Sequence, residues 1–329
     1  MRQQITDCGG EFLFEKKVVD FIVQDQKIIS VKTADGNSFE ADAFILATGH
    51  SARDIFELLH QKQILIEAKG FALGVRIEHP QQLIDSIQYH CPVRGTFLPP
   101  ASYSLVKQVN ERGVFSFCMC PGGIIAPAAT AAGELVVNGW SPSKRNNPFA
   151  NSGMVVQVEL EDVIQNSPQG PVGKLKIKND ALAMMHFQQM VEQNCFNAGG
   201  GKFVAPAQRM VDFSNGITSS SLPACSYQPG LQSVHLKEVL PGFVYQALAK
   251  GFIEFGKKMS GYFTNDAVVV ATESRTSSPV RIPRNNDTLT HPQLNNFYPC
   301  GEGAGYAGGI VSAAMDGERV AGQIAFCTT

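Results

Sequence analysis

The chain reads Cys300-Gly301-Glu302-Gly303-Ala304-Gly305-Tyr306-Ala307-Gly308-Gly309-Ile310 near its end, a glycine-rich turn followed by a helical segment. Gly303, Gly305 and Gly308 satisfy GxGxxG, the phosphate-binding pattern of dinucleotide-binding folds. That pattern normally opens a βαβ unit of roughly thirty residues, whereas only 21 residues (329 − 308) follow Gly308. The turn is therefore predicted to be the last strand–turn–helix of a flavin-binding fold and not its first. The alternative is a tight helix–sheet junction in which glycine gives steric relief only.

The composition is that of a globular protein with few charges. Hydrophobic residues make up 44% of the 329 residues and charged residues 17%, and the net charge is −2. This balance gives no electrostatic basis for a nucleic acid partner. The sequence has no apolar stretch of membrane-spanning length, and residues 1–7 lack the apolar region of a secretory signal. The eight cysteines are expected to be reduced thiols, so we expect a cytoplasmic protein with no membrane partner.

The two ends of the chain carry the pattern of one α/β layer. Lys27–Thr33 and Ser38–Leu46 are predicted strands on either side of an Asp-Gly turn, a strong hairpin signal. The apolar run Ala43–Ala47 is typical of a strand buried on both faces. Ser51 is then predicted to cap a helix from about Ala52 to Gln61. Further β-prone runs occur in the first 24 residues, at Glu11–Phe14 and Lys17–Gln24.

The middle of the chain does not continue this strand–helix alternation. Its predicted strands are Leu73–Ile77, Tyr103–Val109, Val114–Cys118, Glu134–Asn138 and Met154–Val158, and its predicted helices are Gln81–Gln88, Asp180–Asn197, Ala205–Phe213 and Leu240–Met259. Near the end, Ala267–Thr272 and Phe297–Cys300 are predicted strands. We therefore expect an α/β fold in which residues 1–64 and 266–329 form a partial nucleotide-binding domain. Residues 65–265 would form an inserted mixed β/α domain that binds or covers the substrate.

Two turns predict a ligand site. The turn Ala47-Thr48-Gly49-His50 follows a buried strand, the position at which open α/β sheets bind ligands. Exposed amides and the dipole at the start of the final helix favour an anionic or electron-rich group. Glu302, just past a strand end, is placed to accept hydrogen bonds from hydroxyl groups such as those of a ribityl chain. His50 fits either a functional role beside this site or an ordinary polar position.

Two cysteines lie close together in Phe117-Cys118-Met119-Cys120-Pro121-Gly122-Gly123. A CxC sequence of this kind fits a redox pair, half of a metal site or a buried strand end. The sequence shows no second cysteine pair or histidine cluster at ligand spacing, so no metal is predicted. Cys118 and Cys120 are candidates for thiol or proton chemistry, with inert packing as the alternative.

Three further side chains are candidates for catalysis. Arg275 and Arg281 lie in the donor-rich run Glu273–Ile282. They could fix a carboxylate or phosphate, or stabilise the negative charge of a reduced flavin, and ordinary surface arginines are the alternative. His79 ends a predicted strand and could act as a general acid or base near neutral pH, although a salt-bridged strand end fits it as well. The sequence shows no Ser-His-Asp order or nucleophile elbow, so hydrolase chemistry has no positive support.

These segments resemble the uncharacterised FAD-dependent dehydrogenases of bacteria, an NAD(P)/FAD-dependent oxidoreductase family. The resemblance lies in Ala47–Asp54, Phe71–Pro80, Gly113–Gly123, Glu273–Ile282 and Gly301–Ile310. It implies FAD as the cofactor and a partial FAD-binding domain of the glutathione-reductase type that carries an inserted domain. The resemblance implies a small-molecule substrate without identifying it.

The resemblance also implies which residues would meet FAD. The ribityl and pyrimidine part would be met by Gly301, Glu302, Gly303, Ala304, Gly305, Tyr306, Gly308, Gly309 and Ile310. The adenosine or pyrophosphate half would lie near Ala47, Thr48 and Gly49, and the adenine would be flanked by the backbone of Val18 and Val19.

The match covers the C-terminal portion of the family, roughly its last two thirds. Family members begin with a βαβ unit that bears an N-terminal GxGxxG, and nothing before Asp35 matches that unit. Because the pyrophosphate would otherwise lose its main amide cradle, we expect an N-terminal FAD-binding segment to be a partner in cofactor binding.

The sequence thus predicts the C-terminal part of an FAD-dependent oxidoreductase that passes hydride between a small-molecule substrate and flavin N5. One alternative is a cofactor-free binding or scaffold module. Another is a thiol-based redox protein that uses Cys118 and Cys120.

Overall fold

The structure, a computed structural model, describes residues 1–165 and 180–327. The chain divides into two compact units: unit 1 is Met1–Glu67 with Arg281–Thr329, and unit 2 is Ala68–Val280. The sequence places the corresponding boundaries at residues 64/65 and 265/266. Residues 266–280 lie in unit 2 because Val268–Glu273 is an inner strand of that unit's sheet.

The elements of the described residues follow in chain order. The helices are α1 (Arg2–Asp7), α2 (Arg53–Gln61), α3 (Gln81–Tyr89), α4 (Leu160–Gln165), α5 (Ala183–Ala198), α6 (Met210–Asn215), α7 (Gly242–Lys258) and α8 (Ile310–Cys327), with a short 3-10 helix at Leu236–Glu238. The strands are β1 (Val18–Gln24), β2 (Lys27–Thr33), β3 (Ser38–Glu40), β4 (Phe44–Leu46), β5 (Glu67–Ala68), β6 (Phe71–Pro80), β7 (Val106–Val109), β8 (Arg112–Cys120), β9 (Ile124–Pro127), β10 (Val137–Trp140), β11 (Phe149–Val158), β12 (Ala205–Arg209), β13 (Leu231–Ser233), β14 (Val268–Glu273), β15 (Val280–Arg281) and β16 (Phe297–Pro299).

Unit 1 joins the two ends of the chain through a pair of parallel strands. Strand β4 pairs with β16, and β1, β2 and β3 form a separate antiparallel sheet. Asn296, just before β16, ties this sheet to β16: it accepts a hydrogen bond from Ile28 N and donates one to Ile28 O, both at 2.8 Å. Tyr298 and Val320 pack in a small core where α8 covers β16.

Unit 2 is built on one large mixed sheet. Among the described residues its strand order is β13-β12-β14-β6-β11-β8-β7, antiparallel throughout except for the parallel pair β12–β13. In β6 the alternate residues Leu73, Val75 and Ile77 share one face, because strand side chains alternate, and they join the main core. Helices α3, α6 and α7 pack against the sheet, and β9 and β10 form a hairpin that contacts it.

Helix α7 shows why this sequence folds against the sheet. Val244, Leu248, Phe252 and Phe255 recur at intervals of three or four residues, so they form one helical face, and all four are buried in the main core. The helix ends at Lys257 and Lys258, whose positive charges suit the negative end of the helix dipole.

Several local predictions differ from the structure. Ala205–Phe213 was expected to be a helix, but β12 takes its first five residues because they pair with strands on both sides, so the helix begins only at Met210. The expected strand Ser38–Leu46 is two strands, because β3 pairs with β2 whereas β4 pairs with β16. Helix α2 begins after Ala52 without a side-chain cap, so the predicted Ser51 cap is wrong. Glu11–Phe14 forms no strand.

Candidate functional site

The two predicted turns of unit 1 lie at the same edge of a parallel strand pair. Strands β4 and β16 run in register from Phe44 opposite Phe297 to Leu46 opposite Pro299, and Cys300 N donates a hydrogen bond of 2.9 Å to Leu46 O. Because the strands are parallel, both carboxyl ends emerge together, which is the edge where open α/β sheets bind ligands. The structure therefore brings together the two turns that the sequence singled out separately.

Close backbone packing holds these turns against each other. A Cβ atom at Gly303 would lie 2.9 Å from Gly49 N and closer still to its carbonyl oxygen, so glycine is required there. Gly301 and Gly305 have φ values of +74° and +85°, a region that favours glycine. Their turn closes through a hydrogen bond of 3.0 Å from Gly305 N to Glu302 O. Steric relief, the alternative explanation of this sequence, accounts for Gly303, and a positive φ accounts for Gly301 and Gly305.

Glu302 and His50 face each other across the two turns. His50 Nδ1 lies 3.2 Å from a carboxylate oxygen of Glu302, and both side chains are partly exposed. A carboxylate with this exposure retains lone pairs for hydroxyl donors. The two turns therefore offer the Glu302 carboxylate to a ligand as well as their backbone groups.

An arginine that the sequence reasoning missed braces the glycine turn. Arg284 donates two hydrogen bonds to Asp316 of α8, at 3.0 and 2.5 Å, and one to Pro299 O at 2.8 Å. Asp316 accepts a further bond of 2.8 Å from Gly301 N. Burial raises the pKa of Asp316, but the bonds from Arg284 and Gly301 outweigh it, so the pKa lies below its usual value. The only sequence signal for Arg284 is its place three residues after Arg281.

Tyr306 presents its ring to two arginines. The Arg284 guanidinium carbon lies 3.8 Å and that of Arg281 4.8 Å from the ring centroid, distances suited to cation–π contact. The Tyr306 hydroxyl accepts a bond of 2.9 Å from Arg284 N. Arg281 is exposed, so its charge faces solvent at the edge of the glycine turn.

The far end of the glycine turn is open. Among the described residues, no heavy atom comes within 4 Å of a Cβ position at Gly308 or Gly309. Ile310, which begins α8, is 91% exposed, and Val311 is 73% exposed. The first turn of α8 has no acidic residue, so its amides and dipole favour an anionic or electron-rich group. This part of the turn fits the binding of a ligand such as the pyrimidine end of a flavin.

The remaining cofactor candidates lie in the same unit. Val18 and Val19 begin β1, where Val18 pairs with Thr33 of β2. Val19 is 43% exposed, so the edge of the three-stranded sheet offers an accessible apolar residue. The predicted contact of these residues with adenine stays a prediction.

The two cysteines of the CxC sequence lie in the last third of β8, in unit 2. Cys118 is exposed and Cys120 is buried, and both are free thiols. Burial raises the pKa of both thiols, and the positive charge of Arg76 partly opposes this effect. Cys120 Sγ donates a hydrogen bond of 3.4 Å to Cys118 O.

Arg76, a residue the sequence reasoning did not single out, connects several strands of unit 2. Its guanidinium is fully buried and contacts Glu273 at 2.7 Å, with bonds of 2.9 Å to Asn151 Oδ1 and Cys118 O. Burial raises the pKa of Glu273 while the Arg76 charge lowers it, and the net shift is upward. A buried charge with this many partners joins β6, β8, β11 and β14.

Arg275 is also held inside unit 2. Its guanidinium donates to both carboxylate oxygens of Glu192, at 2.7 and 2.9 Å, and lies 3.3 Å from a carboxylate oxygen of Glu134. Ser274 Oγ donates a further bond of 2.6 Å to Glu192. These contacts favour a structural role for Arg275 over the predicted contact with substrate or flavin.

His79 lies in the core and not in a cleft. It is fully buried beside Tyr262, and Nε2 lies 2.9 Å from Tyr262 O. Burial lowers the pKa of His79 to about 4, although the hydrogen bond to Tyr262 acts in the opposite direction. Its other nitrogen, Nδ1, has no hydrogen-bond partner in the described part of the chain. A neutral imidazole without solvent access is poorly suited to the predicted acid–base role.

Unit 2 also has a surface groove of about 280 Å³. Its lining includes the rings of Phe115 and Phe117 on β8 and the polar residues Gln157, Thr276 and Ser277. Thr276 is fixed by accepting a bond of 3.1 Å from Ala72 N and donating one of 2.8 Å to Ala72 O. The groove combines aromatic surface with a few polar groups, as small-molecule sites do.

Two further features concern the whole described chain. In residues 1–165 and 180–327, no three His, Cys, Asp or Glu side chains come together in a way that could hold a metal ion. Nor does any helix in these ranges have the length and apolar character needed to cross a membrane.

Comparison with known proteins identifies a family to which the chain belongs. The model of the family "FAD-dependent protein, C-terminal domain-like" matches residues 70–276, which is more than half of the chain and nearly all of unit 2. An uncharacterized protein of Clostridium beijerinckii is 42% identical over 328 residues. The match covers 98% of this chain and 59% of that relative, so the chain spans about three fifths of the relative's length. The chain therefore belongs to the family of FAD-dependent proteins defined by this C-terminal domain.

Proposed function

We propose that this chain is the C-terminal part of an FAD-dependent oxidoreductase that passes hydride between a small-molecule substrate and flavin N5. The observation that carries the proposal is the packing of Gly303 against the Gly49 backbone, which turns two strand ends into one site. Membership in a family of FAD-dependent proteins supports the same cofactor. When bound, FAD would accept or give up the hydride, and the protein would supply binding, orientation and charge.

The glycine turn of unit 1 is the proposed binding site for the flavin end of FAD. The backbone at Gly309, where a Cβ atom would meet no described heavy atom within 4 Å, would meet the pyrimidine edge, and the Glu302 carboxylate would accept hydrogen bonds from ribityl hydroxyls. Thr48 and Gly49 would lie near the pyrophosphate or adenosine half. The resemblance to the FAD-dependent dehydrogenases implies these roles, and the partly exposed Glu302 carboxylate supports the one assigned to it.

Arg281 is the proposed source of positive charge near the substrate or the reduced flavin. It is exposed and rests on the Tyr306 ring, whereas the Arg275 guanidinium is engaged by Glu192. A guanidinium stays protonated at any pH at which the protein is folded, so Arg281 could stabilise negative charge without exchanging a proton.

An additional FAD-binding segment is the proposed partner in this function. Ile310, Val311 and Met315 of α8 are exposed apolar residues, and the Clostridium beijerinckii relative is longer than this chain. A segment with an N-terminal dinucleotide-binding unit would cover such residues and supply the phosphate-binding amides.

Flavin retention tests the proposal. The purified chain is incubated with FAD and passed through a desalting column, and the visible flavin band is measured. We expect the wild-type chain to retain the band and the Glu302→Ala variant to lose most of it. Glu318→Ala is the matched control, because Glu318 is an exposed carboxylate two turns into α8. A colourless wild-type chain would mean that the additional FAD-binding segment is needed for retention, and a chain that stays colourless when that segment is supplied would support the alternative, a cofactor-free binding or scaffold module.

A further inference from the structure

Strand β8 is distorted at its two cysteines. Against β11, Phe117 lies opposite Gly153 and Cys120 lies opposite Asn151, so two residues of β8 oppose the single residue between them. Cys118 has a φ of +44°, which is unusual for a residue with a side chain. Such bulges re-aim side chains and are frequent beside functional sites.

The two thiols differ in solvent exposure although they are close in the chain. Cys118 is exposed and Cys120 is buried. The Cys120 thiol folds back to donate a hydrogen bond of 3.4 Å to the carbonyl oxygen of Cys118. A negative charge on Cys120 would raise the pKa of the Cys118 thiol. An accessible thiol thus has a second, shielded thiol beside it.

The buried Arg76 side chain contacts both cysteines. Its Nη1 donates a hydrogen bond of 2.9 Å to Cys118 O and lies 3.9 Å from Cys120 Sγ. The guanidinium is itself held by Glu273 and Asn151. Burial raises the pKa of Cys120, and the buried positive charge of Arg76 partly opposes that shift.

We propose that Cys118 and Cys120 form a reversible dithiol–disulfide pair that exchanges with small-molecule disulfides. Cys118 is the attacking thiol because it is exposed, and Cys120 is the resolving thiol because it lies beside Cys118 and is shielded from solvent. This pair does not depend on flavin binding in unit 1, so it stands apart from the proposed oxidoreductase function.

The exchange balances in two steps. The Cys118 thiolate attacks one sulfur of a disulfide RSSR, which forms a Cys118–SR bond and releases RS⁻. The Cys120 thiolate then attacks the Cys118 sulfur, which forms the Cys118–Cys120 bond and releases the second RS⁻. The two protons lost by the protein thiols go to the released thiolates. The protein is thereby oxidised by two electrons and RSSR is reduced to two RSH; an external dithiol reverses the reaction.

The probe for this proposal is oxidised glutathione. The reduced full chain is freed of reductant, incubated with oxidised glutathione at pH 8, alkylated with iodoacetamide and digested for mass spectrometry. In the wild type we expect the peptide with Cys118 and Cys120 to lose two hydrogen atoms and to escape alkylation. In Cys120→Ser, Cys118 should instead accumulate a glutathione adduct, because no resolving thiol remains. Cys8→Ser, which removes an exposed cysteine of unit 1, should leave the disulfide unchanged.

Either of two results would overturn the proposal. One is a wild-type chain that keeps the glutathione adduct on Cys118 while Cys120 stays open to alkylation after unfolding. The other is a Cys118–Cys120 peptide that does not react under conditions in which Cys8 forms an adduct. Both results are read on folded protein, since circular dichroism of each variant is compared with the wild type beforehand.

A pH series combined with a variant at Glu273 gives a second readout, because simple exposure of a thiol would not make its rate depend on Glu273. The charged groups acting on the Cys120 thiol are Arg76, Glu273 and Arg145. Because burial raises both thiol pKa values, the rate of disulfide formation should rise about tenfold per pH unit from pH 7 to 8.5. Glu273→Gln removes a negative charge that opposes the thiolates and should speed the reaction several-fold at pH 7. A rate independent of pH and of Glu273 would contradict the assigned roles.

Discussion

The glycine turn of unit 1 and the charged interior of unit 2 differ in whether a ligand could reach their polar groups. At Gly308 and Gly309 a Cβ atom would meet no described heavy atom within 4 Å, so a ligand can approach the backbone there, although the Gly308 amide itself donates a hydrogen bond of 3.2 Å to Ser312 Oγ. Around Arg76 and Arg275 the charges are buried and their partners come from the protein itself. The hydrogen-bond donors of a donor-rich sequence can therefore bind a ligand only where the fold does not already pair them with other protein groups.

This contrast separates the two arginines that the sequence treated alike. Arg281 belongs to unit 1 and is exposed on the Tyr306 ring. Arg275, six residues earlier, belongs to unit 2 and bonds to the buried carboxylate of Glu192.

Breaking the buried ion pair should have the largest effect. Arg76→Met leaves Glu273 as an unpaired buried carboxylate, so we expect the free energy of unfolding to fall by about 3–5 kcal/mol. Urea unfolding at pH 7 measures this change. The double variant Arg76→Met/Glu273→Leu should recover part of the loss, because no buried charge is left unpaired. A double variant that is less stable than the single one would show that Arg76 acts mainly through its other partners.

The buried histidine should make stability depend on pH. Burial lowers the pKa of His79 from its usual 6.5 to about 4, so the unfolded chain takes up a proton at higher pH than the folded chain. The stability due to neutral His79 is therefore complete above about pH 6.5 and is lost as the pH falls towards 4, by roughly 3 kcal/mol in total. His79→Gln keeps a donor for Tyr262 O but cannot titrate.

Comparison of the wild type with the His79→Gln variant isolates the contribution of His79 to the pH dependence of stability. Urea unfolding from pH 7 to pH 4 should show a steeper loss of stability for the wild type than for His79→Gln. Burial raises the pKa values of Glu78 and Glu273, which gives the opposite slope in both proteins and cancels in the difference. Parallel curves would mean that His79 is solvated in the native protein.

Filling the close contact between the two turns should have an intermediate effect. Gly303→Ala places a Cβ atom against the Gly49 backbone, so we expect a loss of about 1–3 kcal/mol in stability and weaker FAD retention. Gly308→Ala is the matched control: its Cβ meets no described atom within 4 Å, so its stability should change by less than about 0.5 kcal/mol. Equal effects of the two substitutions would contradict the packing of the turns.

An exposed ion pair of unit 1 should have the smallest effect. Lys62 Nζ lies 2.5 Å from an Asp20 carboxylate oxygen, and the hydrogen bond from Lys62 lowers the pKa of Asp20. Both side chains are partly exposed, so Lys62→Met should lower the free energy of unfolding by less than about 1 kcal/mol. The small difference should shrink further in 1 M salt, where the Debye length is about 3 Å. A loss as large as that of Arg76→Met would overturn the distinction between exposed and buried charges.

The sequence predicted the periodic elements well. Strand β2 has the bounds that its β-branched residues indicate, and α7 differs from its prediction by two residues at the start and one at the end. It failed at Ala205–Arg209, where pairing with strands on both sides overrides helical pattern. The hydrophobic pattern of a segment indicates which of its faces is buried, but it does not indicate whether an adjacent strand will take its backbone hydrogen bonds.

The sequence alone was enough to show a glycine-rich turn followed by a helix near the end of the chain, because glycine spacing is a local property of the backbone. Only the tertiary structure decided which polar residues remain available. Gly303 meets Gly49 across more than 250 positions of the chain, and Arg76 meets Glu273 across 197. Such contacts join residues whose own sequence neighbours say nothing of each other, so neither the close packing of Gly303 on Gly49 nor the burial of Arg275 and His79 could be predicted from the local pattern.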